Sequence, residues 1–227
     1  MKNILVIGGS KGIGAAIVQA QLQHHNVINI SRSNPEITSD NLTHFSCNIL
    51  EDELPEIEAI DTLIYCPGSI NLKPISRLKI EDFRNDYEIN VLGAVKAIQK
   101  YLPLLKKGNN PNILLFSTVA TKLGMPFHAS IAAAKSAVEG LVKTLAAEFA
   151  PTIRVNAIAP TITNTDLASK LLRNDKMIES ITDRHPLKKF LEPQEVADMA
   201  DFLISDKARS MSGQIFTIDC GIVSVKL

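Results

Sequence analysis

This chain of 227 residues lacks the features that usually declare a function outright: a net charge, clustered thiols, grouped histidines and long apolar runs. Lysine plus arginine number 24, and so do aspartate plus glutamate, so the formal charge is zero. Such balance, without a basic tract, gives no electrostatic reason to expect nucleic acid as a partner. Cys47, Cys66 and Cys220 lie far apart with no paired spacing. They read as reduced thiols, which excludes a disulfide framework and a thiolate metal site. The five histidines are no better grouped, and no metal is expected. The apolar run Ile4–Ile7 stops at Gly8, too short for a signal peptide or a membrane span. A cytoplasmic protein with no membrane partner is expected. Tyrosine is scarce as well: Tyr65, Tyr87 and Tyr101 are the only ones.

What is present is alternation. Short β-branched runs alternate with helical stretches from end to end, the pattern of a parallel sheet covered on both faces. Strands are predicted at Asn3–Ile7, Asn26–Ile30, Thr43–Ser46, Thr62–Tyr65, Asn112–Ser117, Arg154–Ile158 and Ile215–Ile218. Helices are predicted at Gly12–His24, Ile80–Leu105, Ser130–Ala150, Asp166–Ser180 and Pro193–Ile204, where Pro193 suits a helix start because its missing N–H would be unpaired there. No linker, repeat or low-complexity stretch divides the series. The expectation is one doubly wound α/β domain over residues 1–227, with a small lid at about 161–190 over a substrate. Helix 130–150 is apolar or small around most of its circumference. That is the signature of burial on more than one side, and a homodimer or homotetramer packed through helices 90–105 and 130–150 follows from it.

Gly8-Gly9-Ser10-Lys11-Gly12-Ile13-Gly14 follows the first strand and opens a helix. In that context glycines permit a tight turn and a close backbone approach, and the helix N-terminus receives a pyrophosphate. Gly8, Ser10, Lys11, Gly12, Ile13 and Gly14 are therefore expected against a dinucleotide. After the second strand an acidic residue would bind the ribose 2′-hydroxyl of NAD. This chain has Ser31-Arg32-Ser33 there, with Lys11 in the loop. Cations and hydroxyls suit a 2′-phosphate, so NADP(H) is the expected cofactor.

These motifs, with Asn90-Val91-Leu92-Gly93, Ile113–Ser117-Thr118, Arg154-Val155-Asn156 before Ala159-Pro160, and His185-Pro186-Leu187 through Pro193-x-Glu195-Val196-Ala197 to Ser212-Gly213-Gln214, resemble the short-chain dehydrogenase/reductase family along the whole chain. The likeness is greatest to its 3-oxoacyl-thioester reductase-like members. The resemblance implies a Rossmann-type fold and a site of four groups. A lysine binds the nicotinamide ribose and lowers the pKa of a tyrosine, which donates a proton. A serine hydrogen-bonds the oxyanion, and an asparagine holds a water of the relay. By position these roles fall on Lys135, Ile131, Thr118 and Asn90, in that order. Ser117 is adjacent to Thr118 but on a strand points to the opposite face. The same resemblance places Asn48, Ile49, Cys66, Gly68, Pro160, Thr163 and Thr165 along the cofactor.

Ile131 is the departure that matters, because isoleucine carries no proton to donate and none of the three tyrosines can be slipped into its place. Others surround it. The family's Asn-Asn-Ala-Gly is Tyr65-Cys66-Pro67-Gly68, the glycine after the turn proline is Thr161, and the threonine before Gly8 is Ile7. Tyr65 is read as belonging to the adenosine side. Possible proton donors are His128, Lys135 through the ribose, and a water on Thr118. His128 stands seven residues before Lys135, as in the Tyr-x6-Lys arrangement of related enoyl-thioester reductases, though it also reads as a loop histidine bonded to backbone. Leu123–Phe127 with Leu167, Leu171, Leu172 and Met177 are candidates for an apolar substrate pocket, and equally for core. Two readings stand: an NADP(H)-dependent reductase of a carbonyl or conjugated enoyl group in a small, fairly apolar molecule, working without tyrosine; or a catalytically silent NADP(H)-binding sensor or oligomeric partner.

Overall fold

The computed structural model describes residues 1–226. Among them seven strands, β1 (Asn3–Ile7), β2 (Asn26–Ser31), β3 (Leu42–Ser46), β4 (Thr62–Tyr65), β5 (Asn112–Phe116), β6 (Arg154–Pro160) and β7 (Ile215–Ile218), form one parallel sheet in the order β3-β2-β1-β4-β5-β6-β7. Six α-helices cross between them: α1 (Gly12–Gln21), α2 (Ile80–Tyr87), α3 (Gly93–Leu105), α4 (Ala129–Phe149), α5 (Asp175–Arg184) and α6 (Pro193–Ile204). This is the expected Rossmann-type doubly wound architecture.

Alternation of side chains along each strand divides the core in two. Leu5 and Ile7 of β1, Ile113 and Leu115 of β5, and Val155 and Ala157 of β6 pack with Ile98 and Tyr101 of α3 and Val138 and Val142 of α4. Ile4 and Val6, Leu114 and Phe116, and Ile158 face the other way, onto Ile17 and Val18 of α1 and Val196 and Leu203 of α6. Strands buried on both faces explain why β4 and β5 read as continuous apolar runs rather than alternating ones. At the far end of β6, the guanidinium of Arg154, buried to 7 % exposure, donates to the carbonyls of Leu203, Ala208 and Met211, closing the turn after α6.

Three helix expectations need correction. The helix predicted over Asp166–Ser180 is two pieces: a 3-10 turn, Asp166–Ala168, capped by Thr165, and α5, capped by Asn174, whose Oδ1 accepts from the Met177 N–H. Two capping residues in one apolar-periodic stretch start two helices. The helix predicted as Gly12–His24 stops at Gln21, whose carbonyl takes both the His24 and His25 N–H groups. The helix predicted as Ile80–Leu105 is broken by a π-helical turn, Glu88–Leu92. Such a turn displaces carbonyls from their usual partners. Side chains compensate: Asn90 Nδ2 donates to the Asp86 carbonyl at 2.7 Å, and Tyr65 Oη donates to the Ile89 carbonyl at 2.7 Å. Tyr65 thus braces the segment that carries Asn90.

That brace depends on Gly93. A Cβ there would stand 2.1 Å from Tyr65 Oη. Gly93→Ala must push the phenol off Ile89 and leave a buried carbonyl unpaired, at a cost of about 1–3 kcal/mol. Thermal unfolding should show a lower Tm for G93A. A Tm equal to wild type would mean that the phenol moves without loss and does not hold the π turn.

Candidate functional site

In an open parallel sheet, polar ends gather where the strand order reverses, here between β1 and β4. Gly8 leaves β1 with φ +80° and Gly12 enters α1 with φ +54°, the left-handed conformation that a side chain opposes. A Cβ on Gly14 would lie 2.2 Å from the Gly8 carbonyl oxygen, so the loop folds onto itself too tightly for any other residue. Lys11, the N-cap of α1, makes no side-chain cap bond, so the first N–H groups of the helix stay open to an anion. A residue not singled out from sequence, Asn29, anchors the loop. Fully buried in β2, it accepts from the Gly9 N–H at 3.0 Å and donates to Ser31 Oγ at 3.0 Å. A buried asparagine among the apolar residues of β2 was the signal for it.

At the end of β2, Ser31 is buried and donates to the Ser33 carbonyl, while Ser33 Oγ bonds Ser10 Oγ at 3.0 Å. Arg32 is exposed beside them. Lys11 reaches instead to Asp166 at 3.5 Å, joining the loop to the segment after β6. Thr165 lies over Gly12, whose added Cβ would meet its methyl at 3.0 Å. Thr163 is buried and donates to the Thr161 carbonyl, while Pro160 ends β6. Asn48 and Ile49 follow β3, where the Asn48 side chain accepts from the Leu50 N–H and so closes its own turn.

Across the crevice the remaining expected residues converge. Lys135, in the second turn of α4, is 8 % exposed, and its Nζ donates to the Phe116 carbonyl at 2.8 Å. Burial pushes its pKa down to about 8, against the opposing pull of Cys66 and Asp86. Gly68 brings the backbone close enough that an added Cβ would stand 3.2 Å from Asn90 Oδ1 and 3.6 Å from Lys135 Nζ. Cys66 sits on the same side; burial raises its thiol to about 12, so it is not a nucleophile there. Thr118, past the end of β5, is half-buried and accepts from the Ala120 N–H at 3.3 Å. Ser117 donates to Glu139 Oε1 at 2.6 Å, and Thr121 donates to the same oxygen at 2.7 Å. The hydroxyl proton of Ser117 is therefore committed, whereas that of Thr118 is free.

Ile131, one turn before Lys135, is buried at 5 % exposure. His128 is the N-cap of α4, partly exposed, with Nδ1 against the Pro126 carbonyl at 2.8 Å. The backbone bond fixes its Nε2 as the free nitrogen. Phe127 beside it has φ +72° and is 54 % exposed. Among the remodelled positions, Thr161 Oγ1 meets His185 Nε2 at 2.8 Å, and His185 Nδ1 meets the Ile181 carbonyl at 2.7 Å, tying β6 to α5. Of the apolar residues expected near a substrate, Leu167 is exposed, and Leu171, Leu172 and Met177 are half-buried. Sequence reading also missed Ser69 and Asp86, which join Asn90 in a buried hydrogen-bonded group. The described residues hold no group of three or more His, Cys, Asp or Glu able to bind a metal, and no helix among them is long and apolar enough to cross a membrane.

The family described as "Enoyl-(Acyl carrier protein) reductase" matches residues 47–223. The chain is 34 % identical over 176 residues to the 3-oxoacyl-(acyl-carrier-protein) reductase FabG of Thermotoga maritima, covering 77 % of this chain and 71 % of that one. It is 28 % identical to the 2,5-dichloro-2,5-cyclohexadiene-1,4-diol dehydrogenase of Sphingobium indicum over 99 % of this chain and 98 % of that one. Among solved structures, a short chain dehydrogenase family protein from Francisella tularensis superposes with a TM-score of 0.89 at 27 % identity, covering 99 % of this chain and 100 % of that one. ElxO with NADP bound gives the same TM-score, identity and coverage. 4-Hydroxyisoleucine dehydrogenase complexed with NADH gives 0.87 at 25 % identity, covering all of both chains. A seven-stranded sheet in this order, a glycine loop at its switch point and these matches over most of the length place the chain in the short-chain dehydrogenase/reductase family of oxidoreductases.

Proposed function

We propose that the chain is an NADP(H)-dependent reductase of a carbonyl or conjugated enoyl group in a small, fairly apolar substrate, and that it works without the family's tyrosine. The observation that carries this reading is Lys135. A buried ammonium with a single backbone partner is costly, and nothing in the packing of α4 calls for it. Two of its three N–H bonds are left for a ribose hydroxyl or a substrate oxygen.

The chain's groups fit a dinucleotide. The open N–H groups at the start of α1 and the close approach at Gly8 and Gly12 suit a pyrophosphate. Arg32, Ser33 and Ser10 gather at the end of β2 where a 2′-phosphate would lie, and no carboxylate stands in Ser31-Arg32-Ser33 to repel it. A bound nicotinamide supplies the hydride. The protein's part is to orient and to move a proton. Thr118 offers its free hydroxyl to the developing oxyanion. Lys135 holds the proton at Nζ, at an acidity that suits donation near neutral pH. Residues 161–190 serve as the lid, tied to the glycine loop through Lys11 and Asp166 and to β6 through His185. Ala133, Ser136, Gly140, Thr144 and Ala147 form an exposed stripe of small residues along α4, and Tyr87 and Leu92 are exposed nearby, which supports pairing of copies through these helices.

Ile131 favours the rival reading, a silent NADP(H)-binding protein. Following NADPH absorbance with ketones, aldehydes and enoyl thioesters separates the two. We expect slow oxidation by wild type and a gain of about 10²–10⁴ in carbonyl reduction for Ile131→Tyr. Tight NADPH binding with no turnover above background for wild type would leave the silent reading.

Arg32→Ala should weaken NADPH binding by about tenfold or more while leaving NADH unchanged, as a lost charge-assisted bond to phosphate would do. Equal affinities of wild type for the two cofactors, by fluorescence titration, would defeat the 2′-phosphate assignment.

The proton donor is tested by pH. Donation needs the ammonium form, so turnover should be lost as pH rises through about 8, the value burial imposes on Lys135. His128→Ala should leave that limb in place. A limb that disappears in H128A would instead assign the proton to His128.

A further inference from the structure

Asp86 is 2 % exposed, yet it lies on α2, whose other residues are mostly open to solvent. No cation forms an ion pair with it among the described residues. Its Oδ1 accepts from Ser69 Oγ at 2.6 Å, and its Oδ2 has no partner. Ser69 Oγ accepts in turn from Asn90 Nδ2 at 3.0 Å, and the same amide nitrogen donates to the Asp86 carbonyl. Asn90 Oδ1, also without a partner, and Lys135 Nζ both border the space that a Cβ on Gly68 would fill, 3.2 and 3.6 Å from it. A carboxylate and an ammonium are thus buried at the two ends of one small polar group. Each is uncompensated alone, which is far costlier than burying a balanced pair. Ile131, where relatives carry a phenol, offers the ammonium no oxygen at all.

We propose that Asp86 is a positioning residue of this site: through Ser69 it fixes Asn90, and with its charge it keeps Lys135 an ammonium in the absence of a neighbouring phenol. The inference deepens the reading above and rests on it for its meaning in turnover, but the charge pairing is a property of the protein alone. The titratable groups that act on Lys135 from the elements around it are Asp86 of α2 and Cys66 at the end of β4, and the thiol is neutral at physiological pH. Removal of the Asp86 charge destabilises the protonated form of Lys135, so its titration moves to lower pH.

The test uses full-length protein labelled with ¹³C at lysine Cε, the Lys135 resonance being assigned by its absence in Lys135→Met. In wild type it should titrate near pH 8, and in Asp86→Asn its midpoint should move to lower pH, the effect of losing an opposite charge. Asp86→Ser gives the same reading if the asparagine variant does not fold, and Asp86→Glu should restore most of the midpoint. An unchanged midpoint in a folded D86N or D86S protein overturns the proposal. NADPH titrations of the same proteins against pH then separate it from the cofactor reading. If wild type binds NADPH, its affinity should fall at lower pH in D86N than in wild type. If wild type does not bind NADPH at any pH, the cofactor reading fails while the resonance still decides the pairing.

Discussion

A parallel ladder cannot turn back on itself, so each strand of this sheet must be reached by a crossover, and every crossover lays a helix on one face or the other. With both faces covered, the loops that leave for the helices gather at the carboxyl ends of the strands, and there the polar groups of the site collect. Gly8, Ser31, Cys66, Thr118 and Thr161 all follow from that single constraint, since each stands at or just past the end of a strand on that edge. The site is an edge property of the sheet before it is a property of any residue.

The same constraint explains how much could be read from the chain. Strands buried on both faces write themselves as β-branched runs, and all seven are placed to within two residues of where they are seen. Helices were legible by period, but not their interruptions. The π turn at Glu88–Leu92 keeps the apolar spacing of a continuous helix closely enough to pass for one, and its partners, Tyr65 and Gly93, lie outside the turn. The 3-10 turn and α5 were merged because apolar period carries across Ser169–Asn174 while the capping groups, Thr165 and Asn174, interrupt it only through their side chains.

In the site, the glycine loop and the charged corner after β2 were legible because glycine and charge at fixed offsets have few other uses. The residues that support them were not. Asn29, Ser69, Asp86 and Glu139 act over sequence separations of 20, 17, 4 and 22 residues on groups whose identity is ordinary. A buried aspartate looks like any other in a helix of polar composition until the fold shows that water does not reach it. Ile131, where the resemblance leads one to expect a tyrosine, is visible as one letter, whereas the buried polar group of Asp86, Ser69 and Asn90 is spread over α2, the loop after β4 and the π turn.

The chain of bonds from Gly9 through Asn29 and Ser31 to Ser33, closed by Ser10, couples the corner after β2 to the glycine loop. Here the corner after β2 and the glycine loop are one stitched ring, so a change of Ser33 or Ser31 alters the stiffness of the glycine turn at the same time. Variation at this corner that leaves the glycine turn undisturbed is therefore confined to the exposed Arg32, the member whose side chain the ring leaves unstitched.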